Sequence, residues 1–207
     1  MAIIDSVVIG TGRKKVGEVT LSTIKGRTIA RKYQSHVSNP NTKAQQKQRN
    51  KLYNALLVYH AIKNILSYAF PKKGKYESNY NASVSANIGL MPIVRVADAR
   101  EVVATVGTGV IMSNGSLGKT IATAANDNVV IDFTAAVQNL VAGDILMVII
   151  NDYGTGKTLT ETIELSDAQI TAGSVEIEFS QTTGYVGGAY IAKANGKDCS
   201  QSELFYF

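Results

Sequence analysis

Residues 145–165 read ILMVIINDYGTGKTLTETIEL, and this stretch decides the fold. The apolar run at 145–150 has the length of a buried strand, and Leu159 and Ile163 alternate with polar neighbours further on. Between the two runs, residues 153–156 supply two glycines for a tight turn. The stretch therefore predicts an antiparallel β-hairpin whose first strand is covered on both faces.

The turn of this hairpin also ends like a phosphate-binding loop, in Gly156, Lys157 and Thr158. That motif requires an earlier glycine, where Asn151 stands, and a helix whose N-terminal amides hold the phosphate. The residues that follow predict a strand instead. GSLGKT at 115–120 fails in the same way, so a hairpin turn is the preferred interpretation.

Further short strands are predicted throughout residues 101–207. They lie at 102–106, 110–112, 119–123, 129–133, 145–150, 159–165, 175–179, 188–192 and 204–207. Turn signals such as Asn114-Gly115 separate them, and Glu176 and Glu178 should face solvent between apolar neighbours. So many short strands predict an antiparallel β-sandwich of immunoglobulin/fibronectin-like type.

The N-terminal half has a different pattern. Residues 16–33, VGEVTLSTIKGRTIARKY, predict a β-hairpin around Lys25-Gly26. Asn39-Pro40 then signals the start of a helix over about 41–69. The apolar stripe of this helix is predicted at Leu52, Leu56, Tyr59, Ile62 and Leu66. The whole chain is predicted to be α+β, with a basic hairpin-helix module in 1–100 and an acidic β-sandwich domain in 101–207.

Charge separates the same two halves. The formal net charge of +5 combines 17 Lys and Arg against four acids in residues 1–100 with four Lys against 12 acids in residues 101–207, which is +13 and −8. An excess of one sign indicates either a solvated basic surface or an anionic partner, which would be nucleic-acid phosphate or an acidic protein face. The predicted partner-binding residues are Arg13, Lys14, Lys15, Lys25, Arg27, Arg31, Lys32, Lys43, Lys47, Arg49, Lys51, Lys72, Lys73 and Lys75.

Composition argues against several function classes. Cys199 is the only cysteine and His36 and His60 are the only histidines, so disulfides, a cysteine-based zinc site and a Cys-His nucleophile have little support. Cys199 is predicted to be a buried or an idle thiol and not a catalytic one. The longest apolar run is too short to span a membrane, and no secretory signal is evident. We expect a soluble, cytoplasmically made protein that is not an enzyme and has no metal, cofactor, membrane partner or small-molecule substrate.

Residues 15–52 resemble an uncharacterised domain family common in Bacteroidetes genomes and their phages. The shared features are Val16-Gly17, Lys25-Gly26, Arg31, Asn39-Pro40-Asn41-Thr42 and Gln45-Gln46-Lys47-Gln48-Arg49. The likeness continues more weakly through GDILMVIIND and GGAYIA.

The family's association with phages, including crAss-like podoviruses, implies a virion structural protein, assembled in the host cytoplasm. Such a protein would form a ring at the head-tail connector or decorate the capsid, and would contact other virion proteins and copies of itself. A nucleic-acid-binding accessory protein is the alternative.

Overall fold

The chain divides into two compact units, Met1–Thr42 and Lys43–Phe207. The computed structural model describes residues 2–4, 14–24, 27–107, 109–125, 128–179 and 184–206. Helices and mainly antiparallel sheets fill these ranges, which confirms the predicted α+β class.

The N-terminal unit is a four-stranded antiparallel sheet in the order β1-β4-β3-β2. Its strands are β1 (Ala2–Ile4), β2 (Lys14–Val16), β3 (Val19–Ile24) and β4 (Arg27–Lys32). Strands β3 and β4 pair in register from Val19 with Lys32 to Ile24 with Arg27, so the predicted hairpin is confirmed. Its turn residues, Lys25 and Gly26, lie outside the described residues. A further strand on each side widens the hairpin into a sheet.

The predicted helix is present as α1 (Lys43–Ile62), followed by a short 3-10 turn at Lys63–Ile65. Its buried residues are Asn54, Ala55, Val58 and Ile62, whereas Leu52 is 39% exposed. The predicted stripe is therefore wrong at its N-terminal end. A polar residue, Asn54, occupies the buried position there, and a search for apolar periodicity passes over it.

Asn54 is buried because it holds the loop that precedes the third helix. Its side-chain amide donates to the carbonyl oxygens of Pro92 (3.0 Å) and Val94 (2.8 Å), and its Oδ1 accepts from the backbone N–H of Val96 (3.3 Å). A buried polar side chain is tolerated when its hydrogen bonds are made. Asn54 therefore helps to hold the loop against α1.

Two helices in this region are not predicted from the sequence. They are α2 (Asn79–Asn87) and α3 (Ala99–Val106). The prediction of a strand at 102–106 is wrong. Asp98 caps α3 by accepting from the backbone N–H of Glu101 (2.9 Å), and Val102 and Val103 are buried on its inner face. The cap and the burial outweigh the strand preference of the valines.

The remaining elements form two sheets with one short α-helix, α4 (Asp167–Ala172), and a 3-10 helix at Thr134–Asn139. The strands are β5 (Ile111–Asn114), β6 (Leu117–Ala125), β7 (Asn128–Asp132), β8 (Ile145–Asp152), β9 (Thr158–Glu164), β10 (Ser174–Glu178), β11 (Tyr185–Ala192), β12 (Ser200–Glu203) and β13 (Phe205–Tyr206). One sheet has the order β10-β7-β6-β12-β5 and the other β13-β11-β8-β9. Every pairing is antiparallel except that of β6 with β12. The predicted sandwich is confirmed in this form.

Strands β8 and β11 are buried on both faces, as predicted for the first of them. Toward the other sheet, Leu146, Val148 and Ile150 join a cluster with Ile131 and Phe133. On the opposite face, a second cluster packs Ile149, Val186 and Tyr190 against helical residues Ala55, Val58 and Ile62. The helices are therefore a third layer of the same unit.

That packing explains where the compact units divide. The sequence predicts a boundary at residue 100, where the charge changes sign and the strand-like runs begin. The units divide instead at Thr42, since α1 shares a hydrophobic core with β8 and β11. In this chain the net charge changes sign near residue 100, whereas the compact units divide at Thr42.

Candidate functional site

The predicted basic residues fall into three groups. Lys14, Lys15, Arg27, Arg31 and Lys32 lie on β2 and β4 of the N-terminal sheet. Lys43, Lys47, Arg49 and Lys51 lie on α1, and Lys72, Lys73 and Lys75 lie between the 3-10 turn and α2. Arg13 and Lys25 lie outside the described residues.

The N-terminal sheet has much charge and little core. Residues 1–42 contain seven Lys and Arg against two acids, a net charge of +5. Within residues 14–24 and 27–42 only Leu21 and Thr28 are buried, whereas Val16 is 63% and Ile24 56% exposed. Lys15 lies over the ring of Tyr33, 3.7 Å from its centroid. A small sheet with exposed apolar residues gains stability when a partner covers it.

The first two turns of α1 form the second group. Residues 43, 44 and 46–49 are all exposed, and the first turn contains no acid. A helix N-terminus carries a partial positive charge of about half an elementary charge. Lys43 and Lys47 add to that charge on the same side of the helix, so this end attracts an anionic surface.

Lys51 has a structural contact that the sequence does not reveal. Its ammonium donates to the carbonyl oxygen of Gly89 (3.2 Å), and the neighbouring Asn50 amide donates to that of Ile93 (3.0 Å). Both bonds hold the loop that Asn54 also holds. Lys51 is therefore less available to a partner than Lys43 and Lys47.

The third group borders a surface cavity of about 240 Å³, which Lys72 and Lys73 line with Glu77. Lys72 also lies near Asp198. Partial burial raises the pKa of Asp198, but hydrogen bonds from Ser116 and the backbone N–H of Cys199, together with Lys72, outweigh that effect and lower it. Asp198 is therefore an anion that neutralises part of this group.

The formal net charge of residues 43–207 is zero, but the positive and negative residues lie in different parts of this range. Residues 43–100 contain ten Lys and Arg against Glu77 and Asp98, and residues 101–207 contain four Lys against 12 acids. The net charges are +8 and −8. Only three ion pairs join side chains in the described part of the unit: Arg100–Asp98, Lys119–Glu203 and Lys193–Asp144. Most of the charged residues in the described part of this unit lie outside these three ion pairs.

Four acids lie on β9 and β10, an edge strand of each sheet: Glu161, Glu164, Glu176 and Glu178. Glu176 and Glu178 are exposed and alternate with buried Val175 and Ile177, as predicted. Glu161 differs, because it lies half-buried on the same side of β9 as the partly buried Leu159. Glu161 is not among the site residues predicted from the sequence. The pattern that could have identified it is a carboxylate at a position where the alternation of β9 places an apolar residue.

The turn that resembles a phosphate-binding loop is a hairpin turn, as predicted. The carboxylate of Asp152 accepts from the backbone N–H groups of Gly154 (2.8 Å) and Thr155 (3.2 Å). Gly156 has a φ of 71°, which suits glycine, and β9 follows directly. The Asp152 carboxylate therefore accepts hydrogen bonds from the backbone N–H groups that would otherwise be available to an anion.

The groups considered for nucleophilic or metal chemistry are dispersed. Cys199 is fully buried, as predicted, and burial raises the pKa of its thiol to about 12. Its Sγ donates to the carbonyl oxygen of Ala69 (3.4 Å). His36 and His60 are exposed on separate units. The described residues contain no group of three or more His, Cys, Asp or Glu that could hold a metal ion.

None of the described helices combines the length and apolar character needed to cross a membrane.

This chain is similar to a solved structure and to a protein family. The chicken interferon gamma receptor alpha chain, solved in selenomethionine-substituted form, matches 44% of this chain at 10% identity and a TM-score of 0.32. The match spans about half of that receptor chain, 49%. No curated protein matches the chain. The family of unknown function DUF6266 matches residues 10–187, which is most of the sequence, and this protein therefore belongs to that family.

Proposed function

We propose that this protein is a non-enzymatic structural component of a bacteriophage particle. It repeats in a symmetric ring at the head-tail connector or on the capsid surface, and it contacts copies of itself and other virion proteins. The resemblance of residues 15–52 to phage-associated domains supports the setting. The separation of charge within one chain supports the mode of assembly.

The charge separation is the observation that carries the proposal. Residues 43–100 and 101–207 have net charges of +8 and −8, and residues 1–42 add +5. Few of these charges pair within the described part of the chain. Complementary charged surfaces guide association and exclude wrong partners. A chain with an excess of basic residues in one range and of acidic residues in another is suited to contacts in which basic residues of one copy meet acidic residues of the next.

The first turns of α1 are the part of the basic surface best placed for such contacts. Lys43 and Lys47 are exposed and have no ion-pair partner among the described residues. Side-by-side lysines on one helix repel each other by a few tenths of a kcal/mol. An acidic neighbour relieves that repulsion. We therefore assign Lys43 and Lys47 to contact with an acidic protein face.

A charge-reversal variant tests the proposal. Lys43→Glu/Lys47→Glu should abolish self-association measured by light scattering and remove the protein from purified particles analysed by mass spectrometry. The matched control is Lys63→Glu/Lys197→Glu, which changes net charge equally at exposed positions outside the basic groups. Normal assembly of the first variant would contradict the proposal.

A second candidate, a nucleic-acid-binding accessory protein, rests on the same exposed lysines at a helix N-terminus. Phosphate would then replace the acidic protein face, and affinity would fall steeply with salt. A mobility shift of duplex or single-stranded DNA by the monomer, lost in Lys43→Glu/Lys47→Glu, would favour this candidate. A DNA-free oligomer of fixed size favours the structural role.

A further inference from the structure

Strand β9 leaves the edge of its sheet open. In the order β13-β11-β8-β9 it pairs only with β8 among the described residues. Its register with β8 is regular over seven pairs, from Ile145 with Glu164 to Asn151 with Thr158. An open edge strand is a template for a further strand, and natural proteins either protect such an edge or use it.

The hydrogen bonds at the ends of this pairing show which groups of β9 face outward. Asp152 N–H donates to the Lys157 carbonyl at one end, and Leu165 N–H donates to the Asp144 carbonyl at the other, both at 2.8 Å. Bonded and non-bonded pairs alternate along an antiparallel ladder. Residues 159, 161 and 163 therefore bond to β8, and the backbone N–H and C=O groups of Thr160 and Thr162 point to the open edge.

Glu161 sets the chemistry of this edge. It lies opposite Val148 of β8, which is fully buried, and between the partly buried Leu159 and Ile163. No cation lies within ion-pair distance of its carboxylate among the described residues. A half-buried carboxylate is stabilised by a cation placed beside it. The edge therefore favours an incoming strand that brings an ammonium group.

A cavity of about 320 Å³ adjoins the same edge. Leu159 and Phe179 give it an apolar part, and Glu178 and Lys157 lie at its polar part. An apolar side chain of an added strand would fill space there that β9 and β10 leave open.

Strand β2 of the N-terminal sheet has the complementary pattern. It is also an edge strand, since in the order β1-β4-β3-β2 it pairs only with β3 among the described residues. Lys14 and Val16 lie two residues apart, opposite Leu21 and Val19 of β3. Lys14 has a φ of 82°, outside the extended range, and Val16 is 63% exposed. On β2 a cation and an apolar residue are thus two positions apart. On β9 the carboxylate of Glu161 is likewise two positions from Leu159 and from Ile163.

We propose that β2 of one copy adds to the open edge of β9 in the next copy. The inference rests on the proposed function and specifies its contact. In an antiparallel pairing Lys14 would lie beside Glu161 and Val16 beside Leu159, while the backbone of Lys15 between them bonds to that of Thr160. The occupant is a second copy because one chain carries both edges.

Charge also selects the direction of this assembly. Pairing of β9 with β9 brings Glu161 carboxylates together, and pairing of β2 with β2 brings lysines together. Like charges on neighbouring strands are destabilising. The favoured contact joins unlike edges, and such head-to-tail contacts generate rings or filaments.

A charge exchange tests the proposal, with association measured by sedimentation velocity over a range of concentrations. Lys14→Glu and Glu161→Lys each replace an attractive cross-strand pair with a repulsive one. Each should raise the dissociation constant by roughly five- to 25-fold, from up to about 1 kcal/mol for the lost attraction and a similar amount for the repulsion. The double variant Lys14→Glu/Glu161→Lys restores an opposite pair and should recover most of the wild-type affinity.

A backbone variant tests the strand addition itself. Thr160→Pro removes an N–H that points away from β8, so the internal ladder keeps its bonds and the fold survives at an edge position. It should weaken association by about tenfold or more. Thr160→Val keeps the N–H and is the matched control, which should associate like the wild type.

The outcomes separate this contact from the broader proposal. A wild-type chain that stays monomeric at all concentrations overturns the inference. So does wild-type association of both charge variants and of Thr160→Pro, or a double variant that recovers nothing. If those variants assemble normally while Lys43→Glu/Lys47→Glu does not, the strand addition is wrong and the proposed function stands.

Discussion

Replacing Asn54 by alanine should destabilise residues 43–207 far more than its polar character suggests. Asn54 is fully buried and makes three hydrogen bonds, to the Pro92 and Val94 carbonyls and from the Val96 N–H. Each buried partner left without a bond costs about 1–3 kcal/mol. Val94 is 67% exposed, so water can reach part of this loop, and the lower end of that range applies. We expect a loss of about 3 kcal/mol.

Urea unfolding measures this loss directly. For a unit of this size, about 3 kcal/mol also corresponds to a fall of roughly 6–12 °C in Tm. Asn64→Ala is the matched control, because Asn64 is exposed in the following 3-10 turn and should change stability by less than about 0.5 kcal/mol. Asn54→Asp adds a second test. It keeps the acceptor for Val96 but places a carboxylate against two carbonyl oxygens, so it should be worse than alanine. An Asn54→Ala variant as stable as the control would refute the assigned role.

Three further predictions concern the sandwich. Gly118→Ala should destabilise by at least about 2 kcal/mol in urea unfolding, because a Cβ there would lie 2.0 Å from the backbone oxygen of Ala135, whereas Gly89→Ala meets nothing within 4 Å and serves as the control. Asp144→Asn should cost about 3 kcal/mol by the same measurement, since it removes the charge that pairs with Lys193 at 2.9 Å in a buried position; an equal loss in Lys197→Gln would contradict this. The free energy of unfolding should fall as pH rises above about 8.5, where the thiol of Cys199 ionises in the unfolded chain, because its folded pKa is raised to about 12; the decrease should be smaller in Cys199→Ala.

Much of the sandwich could be predicted because its local signals agree with its tertiary packing. The run at 145–150 is apolar throughout, and β8 is indeed covered on both faces. The alternation of Val175 and Ile177 with glutamates likewise matches one buried and one exposed face of β10. In both strands, hydrophobicity alone carries the information.

The helical layer could not be predicted in the same way. Residues 102–106 are rich in valine and predict a strand, but the cap at Asp98 and the core beneath Val102 stabilise a helix. Asn54 is polar in the sequence and buried in the structure. Long-range partners decide both positions, and periodicity contains no information about those partners.

The basic residues could be identified from the sequence, but their division could not. Counting charges over residues 1–100 gives a single positive excess and does not show that these basic residues belong to two units. The core of α1 assigns the lysines of that helix to the unit that also contains the acids, so residues 43–207 sum to zero. Glu161 was missed because a search by composition counts a carboxylate without regard to the face of the strand it occupies.

The position of β12 between β5 and β6 has a consequence for biosynthesis. Strands β5 and β6 follow each other in the chain, yet each pairs with β12 and not with the other. The hydroxyl of Thr120 on β6 donates to that of Ser200 on β12, 80 residues later. On a ribosome, β5 and β6 must wait with open edges until β12 emerges, and pairings between distant residues form slowly. The centre of this sheet is therefore completed late, and its newly made strands are the part of the chain that most needs protection from aggregation during synthesis.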